Sequence, residues 1–164
     1  MPVTYKKIAS VTVTAATAAN VEFLSIPNTF TDLKIVFSAR NSTGDVDNVI
    51  TLNTSTGVSS ARRLYGTGSS VASDTAAGGG LATPSSATGS TFSSTEYYFP
   101  NYTGTANKSV SIDAVNETNG TNAYSNLSTQ LFTLGSAITS IKIAPNSGLY
   151  VTYTTAVLYG ISKS

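Results

Sequence analysis

Histidine, cysteine and tryptophan are all absent from this chain, and charge is scarce, with nine basic and eight acidic residues among 164. Each absence removes a class of chemistry. Histidine is the side chain whose unperturbed pKa lies nearest neutral pH, so the commonest general acid–base group is missing. Without cysteine there is no thiolate nucleophile, no soft metal ligand and no disulfide, while the redox compartment stays open. No window is long and apolar enough for a membrane-spanning helix. The opening run Met1-Pro2-Val3-Thr4-Tyr5-Lys6-Lys7 lacks the apolar stretch of a secretory signal, so neither a membrane nor export by that route is expected. The net charge is +1, and Lys6-Lys7 and Arg62-Arg63 are the adjacent like-charged pairs. Nucleic-acid binding draws on clustered basic residues, so no nucleic-acid partner is expected.

What the chain does hold is hydroxyl groups, with serine and threonine making up nearly a third of it, alongside Val, Ile, Tyr and Phe. Threonine and these apolar residues fit a pleated, half-buried surface. A chain of this length suits one domain and buries about 70% of its unfolded surface without staples. Alternation of period two recurs. In Leu33–Arg40 the residues Leu33, Ile35, Phe37 and Ala39 share one face, and Ser109–Ala114 repeats the pattern. Strands are expected near 4–13, 20–26, 32–40, 47–53, 60–66, 94–100, 108–116, 124–134, 138–144 and 150–162. Turn chemistry separates them: Ser42-Thr43-Gly44-Asp45, Thr56-Gly57, Asn119-Gly120 and Pro145-Asn146-Ser147-Gly148. The expected fold is all-β, an antiparallel β-sandwich, jelly-roll-like, formed by a single domain over 1–164. The Gly/Ser/Ala-rich segment at about 66–91 shows no pattern and is expected to be one long projecting loop.

Catalytic constellations are not evident. Glu22, Asp32, Asp45, Asp47, Asp74, Glu96, Asp113 and Glu117 are scattered, and no tryptophan offers a platform for a sugar, against the paired carboxylates that glycoside hydrolysis needs. Asp45-Val46-Asp47-Asn48 is a fragment of a calcium loop that lacks its central glycine and its bidentate glutamate, and reads better as a solvated turn. Gly66-Thr67-Gly68 and Gly78-Gly79-Gly80 lack the Lys-Ser/Thr ending of a phosphate loop, and supply unusual backbone angles or mobility instead. No catalytic, cofactor-binding or metal-binding residue is expected, and no enzyme activity. Tyr97-Tyr98-Phe99 places Tyr97 and Phe99 on one face of a strand and Tyr98 on the other. Such a run packs across strands or anchors an interface. The interface candidates are Arg62, Arg63, Gly78, Gly79, Gly80, Tyr97, Tyr98 and Phe99.

In Val21-Glu22-Phe23-Leu24-Ser25-Ile26-Pro27-Asn28-Thr29-Phe30-Thr31-Asp32-Leu33 a strand is followed by Ser-Ile-Pro, an aromatic, Thr-Asp-Leu and a second strand. Leu64–Ser70, Asn101-Tyr102 followed by Lys108, Ile138-Thr139-Ser140-Ile141 and Leu158-Tyr159-Gly160-Ile161 follow in order along the chain. Together these stretches resemble small virion structural proteins of tailed bacteriophages, with Phe30 where the pattern usually has Tyr. The resemblance implies a β-rich virion component. With the missing catalytic groups, it leads to the expectation of a capsid decoration or cement protein. Such a protein would sit on the outer capsid surface after synthesis in the host cytoplasm, stabilising the phage head by protein–protein contacts. Its expected partners are the major capsid protein and copies of itself, as the homotrimer common among such proteins, with no cofactor. The alternative is a tail or fibre appendage that binds the host surface.

Overall fold

Alternating side chains decide which face of each strand turns inward. Along Lys108–Glu117 every second residue, from Lys108 through Val110, Ile112 and Ala114 to Asn116, is buried. The structure is a computed structural model that describes residues 4–44, 46–55, 57–118 and 123–162. The expected turn at Asn119-Gly120, and Asp45 of the calcium-loop fragment, lie outside the described residues.

Fourteen strands are present among the described residues: β1 (Tyr5–Thr12), β2 (Thr17–Ala18), β3 (Val21–Phe23), β4 (Asp32–Ser38), β5 (Val46–Leu52), β6 (Val58–Gly66), β7 (Val71–Asp74), β8 (Leu81–Ala82), β9 (Ser94–Phe99), β10 (Lys108–Glu117), β11 (Ala123–Phe132), β12 (Ile141–Pro145), β13 (Tyr150–Val151) and β14 (Thr155–Ile161). Each of the ten expected strand windows overlaps at least one of them. They form an eight-stranded sheet in the order β1-β14-β4-β9-β10-β11-β6-β7, a four-stranded sheet β3-β12-β5-β8, and a two-stranded clip β13-β2. All strand pairings are antiparallel. The two larger sheets enclose one core, so the chain is an antiparallel β-sandwich. Leu33, Ile35 and Phe37 of β4, Tyr97 and Phe99 of β9 and Leu158 of β14 meet Ile50 and Leu52 of β5 and Ile141 and Ile143 of β12 in it. Phe37 sets its ring edge-on to Tyr150 at 5.4 Å between centroids, an arrangement the ring quadrupoles favour.

Residues from four of the quoted stretches meet at one corner, while Leu64–Ser70 lies apart, at the β6–β7 edge of the large sheet. The Tyr102 hydroxyl donates to the Pro27 carbonyl and accepts from the Phe30 amide at 3.4 Å, while the Tyr102 carbonyl accepts from Ile138 N at 2.9 Å. The Phe30 ring covers Gly160, where a Cβ would fall 2.3 Å from it. Asp32 acts across the sheet rather than within its own turn. Its carboxylate accepts from the Asn101 amide and from the Tyr98 hydroxyl, each at 2.7 Å, and ties the start of β4 to the end of β9. Lys108 is buried and its ammonium donates to the carbonyls of Gly104 and Ala106, closing the turn before β10. Burial lowers its pKa.

The segment 66–91 is not the projecting loop expected from its composition. β7 extends the large sheet beyond β6, and β8 extends the small sheet beyond β5. Between them Gly78, Gly79 and Gly80 are buried. Gly79 N donates to the Asn48 carbonyl and Asn48 N to the Gly80 carbonyl, at 2.6 and 2.9 Å. A Cβ on Gly80, whose φ is +92°, would stand 2.6 Å from Thr95 Cγ2. These glycines are therefore demanded by close approach and a left-handed backbone, with small side chains compensated by backbone pairing. Beyond β8 the guanidinium of Arg40 gathers the chain: its two terminal nitrogens donate to the carbonyls of Ser85, Ala87, Thr88 and Thr91 at 2.9–3.1 Å.

Candidate functional site: an apolar strip and a polar cleft

The eight-stranded sheet has twice as many strands as the four-stranded one, and two of its surfaces stand out. On its outer face the cross-strand registers align Val36, Glu96, Asp113, Leu127, Leu64 and Ser73 in one row. Leu64 and Leu127 are directly opposed and each is more than half exposed, at 54% and 55%. Val71 and Val115 stand one row away, diagonal to Leu64 and Leu127, and are also exposed, while Leu131 is exposed on the same face but separated from them by the polar row of Arg62, Thr129 and Ser111. Arg62 flanks this strip, opposite Thr129. Exposed apolar side chains contiguous in this way mark an interaction surface more often than singly scattered ones. Further along the face, the Lys34 ammonium and the Glu96 carboxylate pair at 2.7 Å, with both side chains solvated.

The second surface lies on the inner face of the same strands, beside β8 at the edge of the small sheet. There the alternation that puts Val110, Ile112 and Ala114 inward on β10 puts Asn116 inward as well, and puts Asn126, Ser128 and Gln130 inward on β11. Arg63 and Tyr65 of β6 join them, opposite Ser128 and Asn126. Arg63 crosses to the other sheet. Its Nη1 donates to both Asp47 oxygens at 3.2 Å, and its Nε and Nη2 grip the Asp74 carboxylate at 3.1 and 2.7 Å. Its guanidinium also stands 5.0 Å from the centre of the Tyr65 ring, within cation–π range.

The two carboxylates respond oppositely. The hydrogen bonds from Arg63, and from the Ala76 amide, lower the Asp74 pKa from its ordinary value of 3.8. Asp47 is raised above the same value, because desolvation by burial outweighs its attraction to Arg63. Arg63 itself is raised, chiefly by its hydrogen bond to Asp74.

Beside this trio, Val46, Asp47, Tyr65, Asn116, Tyr124 and Asn126 line a cleft of about 260 Å³, with Asn146 at its mouth. Asn116 is 5% and Asn126 1% exposed. Asn116 Oδ1 and Asn126 Nδ2 have no hydrogen-bond partner, whereas the opposite ends of both amides are engaged, on the Ala82 carbonyl and the Ser128 hydroxyl. A buried acceptor and a buried donor thus stand unpaired in one cleft. Such pairs are uncommon in folded proteins.

The sequence-predicted interface residues divide between these regions. Tyr97 and Phe99 are in the core and Gly78, Gly79 and Gly80 are buried against β5 and β9, so none of the five is on the surface. The reason is local: one face of β9 packs inward, and the glycines admit the β5 backbone. Tyr98 is 38% exposed with its hydroxyl donated to Asp32. Arg62 is on the outer face, and Arg63 points the other way, into the ion-paired cluster. None of Leu64, Leu127, Asn116 and Asn126 is among the expected interface residues, although Asn116 and Asn126 fall on the inward positions of alternating strands. Comparison with protein-family models, with curated proteins and with solved structures finds no match for this chain.

Proposed function

We propose that this protein is a structural component of a tailed-bacteriophage virion, a decoration or cement protein that stabilises the head by protein–protein contacts. The observation that carries the proposal is the apolar strip of Leu64, Val71, Val115 and Leu127 on an open sheet face. A stiff sandwich with such a strip is suited to adding buried area between neighbouring subunits. The apolar area removed from water contributes about 25 cal/mol per Å². The collinear resemblance to small virion proteins supports the same reading. The partners would be the major capsid protein and further copies of this chain, and a trimer is the arrangement the resemblance suggests.

The test is a copy count on purified particles of the phage that encodes the chain, by cryo-EM or quantitative gel, with Leu64→Ser and Leu127→Ser variants run in parallel. Hundreds of copies in wild-type particles, lost in the variants while the free proteins remain folded, is the expected result. A handful of copies assigns the chain to a tail appendage instead. No copies at all rejects a virion role.

A further inference from the structure

We propose that the cleft between β5 and the β10–β11–β6 strands binds a single neutral sugar residue, in contact with Asp47, Tyr65, Asn116, Tyr124, Asn126 and Asn146. The inference is independent of the virion reading.

The chemistry follows from what is unpaired and what is balanced. Asn116 Oδ1 offers an acceptor and Asn126 Nδ2 a donor, both buried and both without a partner. A hydroxyl group both donates and accepts, so adjacent hydroxyls of a pyranose satisfy the two amides together. Neither an anion nor a cation matches this pair. The one guanidinium at the site is already shared by two carboxylates at 2.7–3.2 Å, so no net positive charge is left for a phosphate or carboxylate. The carboxylates are in turn committed to Arg63, and among the described residues no group of three acidic side chains is placed to hold a metal ion. Asp47 keeps lone pairs beyond those used by Arg63, which suits a third hydroxyl. Tyr65 and Tyr124 supply aromatic surface, and pockets of this kind combine such surface with a few placed polar groups. A volume of about 260 Å³ suits one ring rather than a chain of them.

The framework of the site is preformed, and the unpaired ends of the two buried amides need only a side-chain turn to face the cleft. Ser128 holds the Asn126 amide from one side, the Ala82 carbonyl holds that of Asn116, and Arg63 fixes Asp47. Every one of these holders lies on a strand or directly beside one, so little ordering is needed on binding.

Titration of the isotope-labelled full chain with glucose, galactose, mannose and N-acetylglucosamine, each separately, reads the side-chain amide signals of Asn116 and Asn126 by NMR. Inorganic phosphate and calcium chloride serve as controls. The expected result is a saturable shift of both amide signals with at least one sugar and with neither control. Asn126→Ala should weaken that binding tenfold or more, about 1.4 kcal/mol. Asn146→Ala, on the exposed turn at the mouth, gives a second reading in a variant whose core is untouched, and a severalfold loss is expected. The proposal is overturned if no sugar shifts these signals at tens of millimolar, in which case water serves the two amides. It is equally overturned if phosphate or calcium produces the shift, or if sugar binding survives both substitutions unchanged.

Discussion

Asn48, on the four-stranded sheet, donates a hydrogen bond at 3.3 Å to the hydroxyl of Tyr97, on the eight-stranded sheet, through the middle of the core. The other end of the Asn48 amide accepts from the Tyr150 hydroxyl at 2.7 Å. Three buried polar groups therefore link both sheets and the small clip in one connected unit. Burial raises the pKa of both tyrosines, so both stay neutral. Tyr97→Phe removes the acceptor and leaves the Asn48 amide donor unpaired. The expected cost is about 1–3 kcal/mol, measured by urea unfolding. A change within error would mean that the bridge contributes no stability.

Phe37 is fully buried between the Tyr97 and Tyr150 rings. Phe37→Ala is expected to cost about 3–5 kcal/mol, because lost transfer energy and a residual cavity add. That is a large part of a typical domain stability of about 5–15 kcal/mol. Denaturant midpoints of the two proteins decide the matter.

The Arg63 cluster predicts opposite effects from two similar substitutions. Asp74 has a lowered folded-state pKa, so its contribution is fully present above its ordinary value of 3.8 and is lost as pH falls below it. Asp47 has a raised one, so its ionised form disfavours folding, and that penalty disappears as pH falls through its folded value. Asp74→Asn should therefore lower the melting temperature near neutral pH and lose its effect in strong acid. Asp47→Asn should leave the neutral-pH melting temperature unchanged or raise it. The reverse order would show that desolvation does not govern Asp47.

Arg40 anchors the chain from Ser85 to Thr91 through four carbonyl groups. Arg40→Ala should open new protease sites within 85–91 while the buried run from Gly78 to Pro84 remains protected. Mass spectrometry of limited digests identifies the cut sites, and cleavage equal to wild type would exclude the clamp.

A strand is legible in sequence when its alternation is strong, and Leu33, Ile35 and Phe37 of β4, or Val110, Ile112 and Ala114 of β10, are such cases. β7 and β8 are not legible in sequence because Val71–Asp74 and Leu81–Ala82 are too short to show a run of alternation. The glycine run shows a different limit. Three consecutive glycines read the same whether a loop swings freely or two backbones must touch, and only Asp47, Asn48, Thr95 and Tyr97 distinguish the cases. The cleft was half legible. Asn126, Ser128 and Gln130 lie two apart on one strand, which marks a polar face, but which sheet would leave that face uncovered depends on strand order.

The unequal widths of the two sheets also divide the molecule into regions with different freedom to vary. Around Phe37 and Leu158 each side chain is surrounded on all sides, and close packing leaves little room for a change of even one methylene. Where Tyr65, Tyr124 and Asn146 line the cleft, part of their surroundings is open space rather than packed side chains. Replacements at these incompletely buried positions disturb fewer packed neighbours, so this end can vary while the remainder preserves the fold.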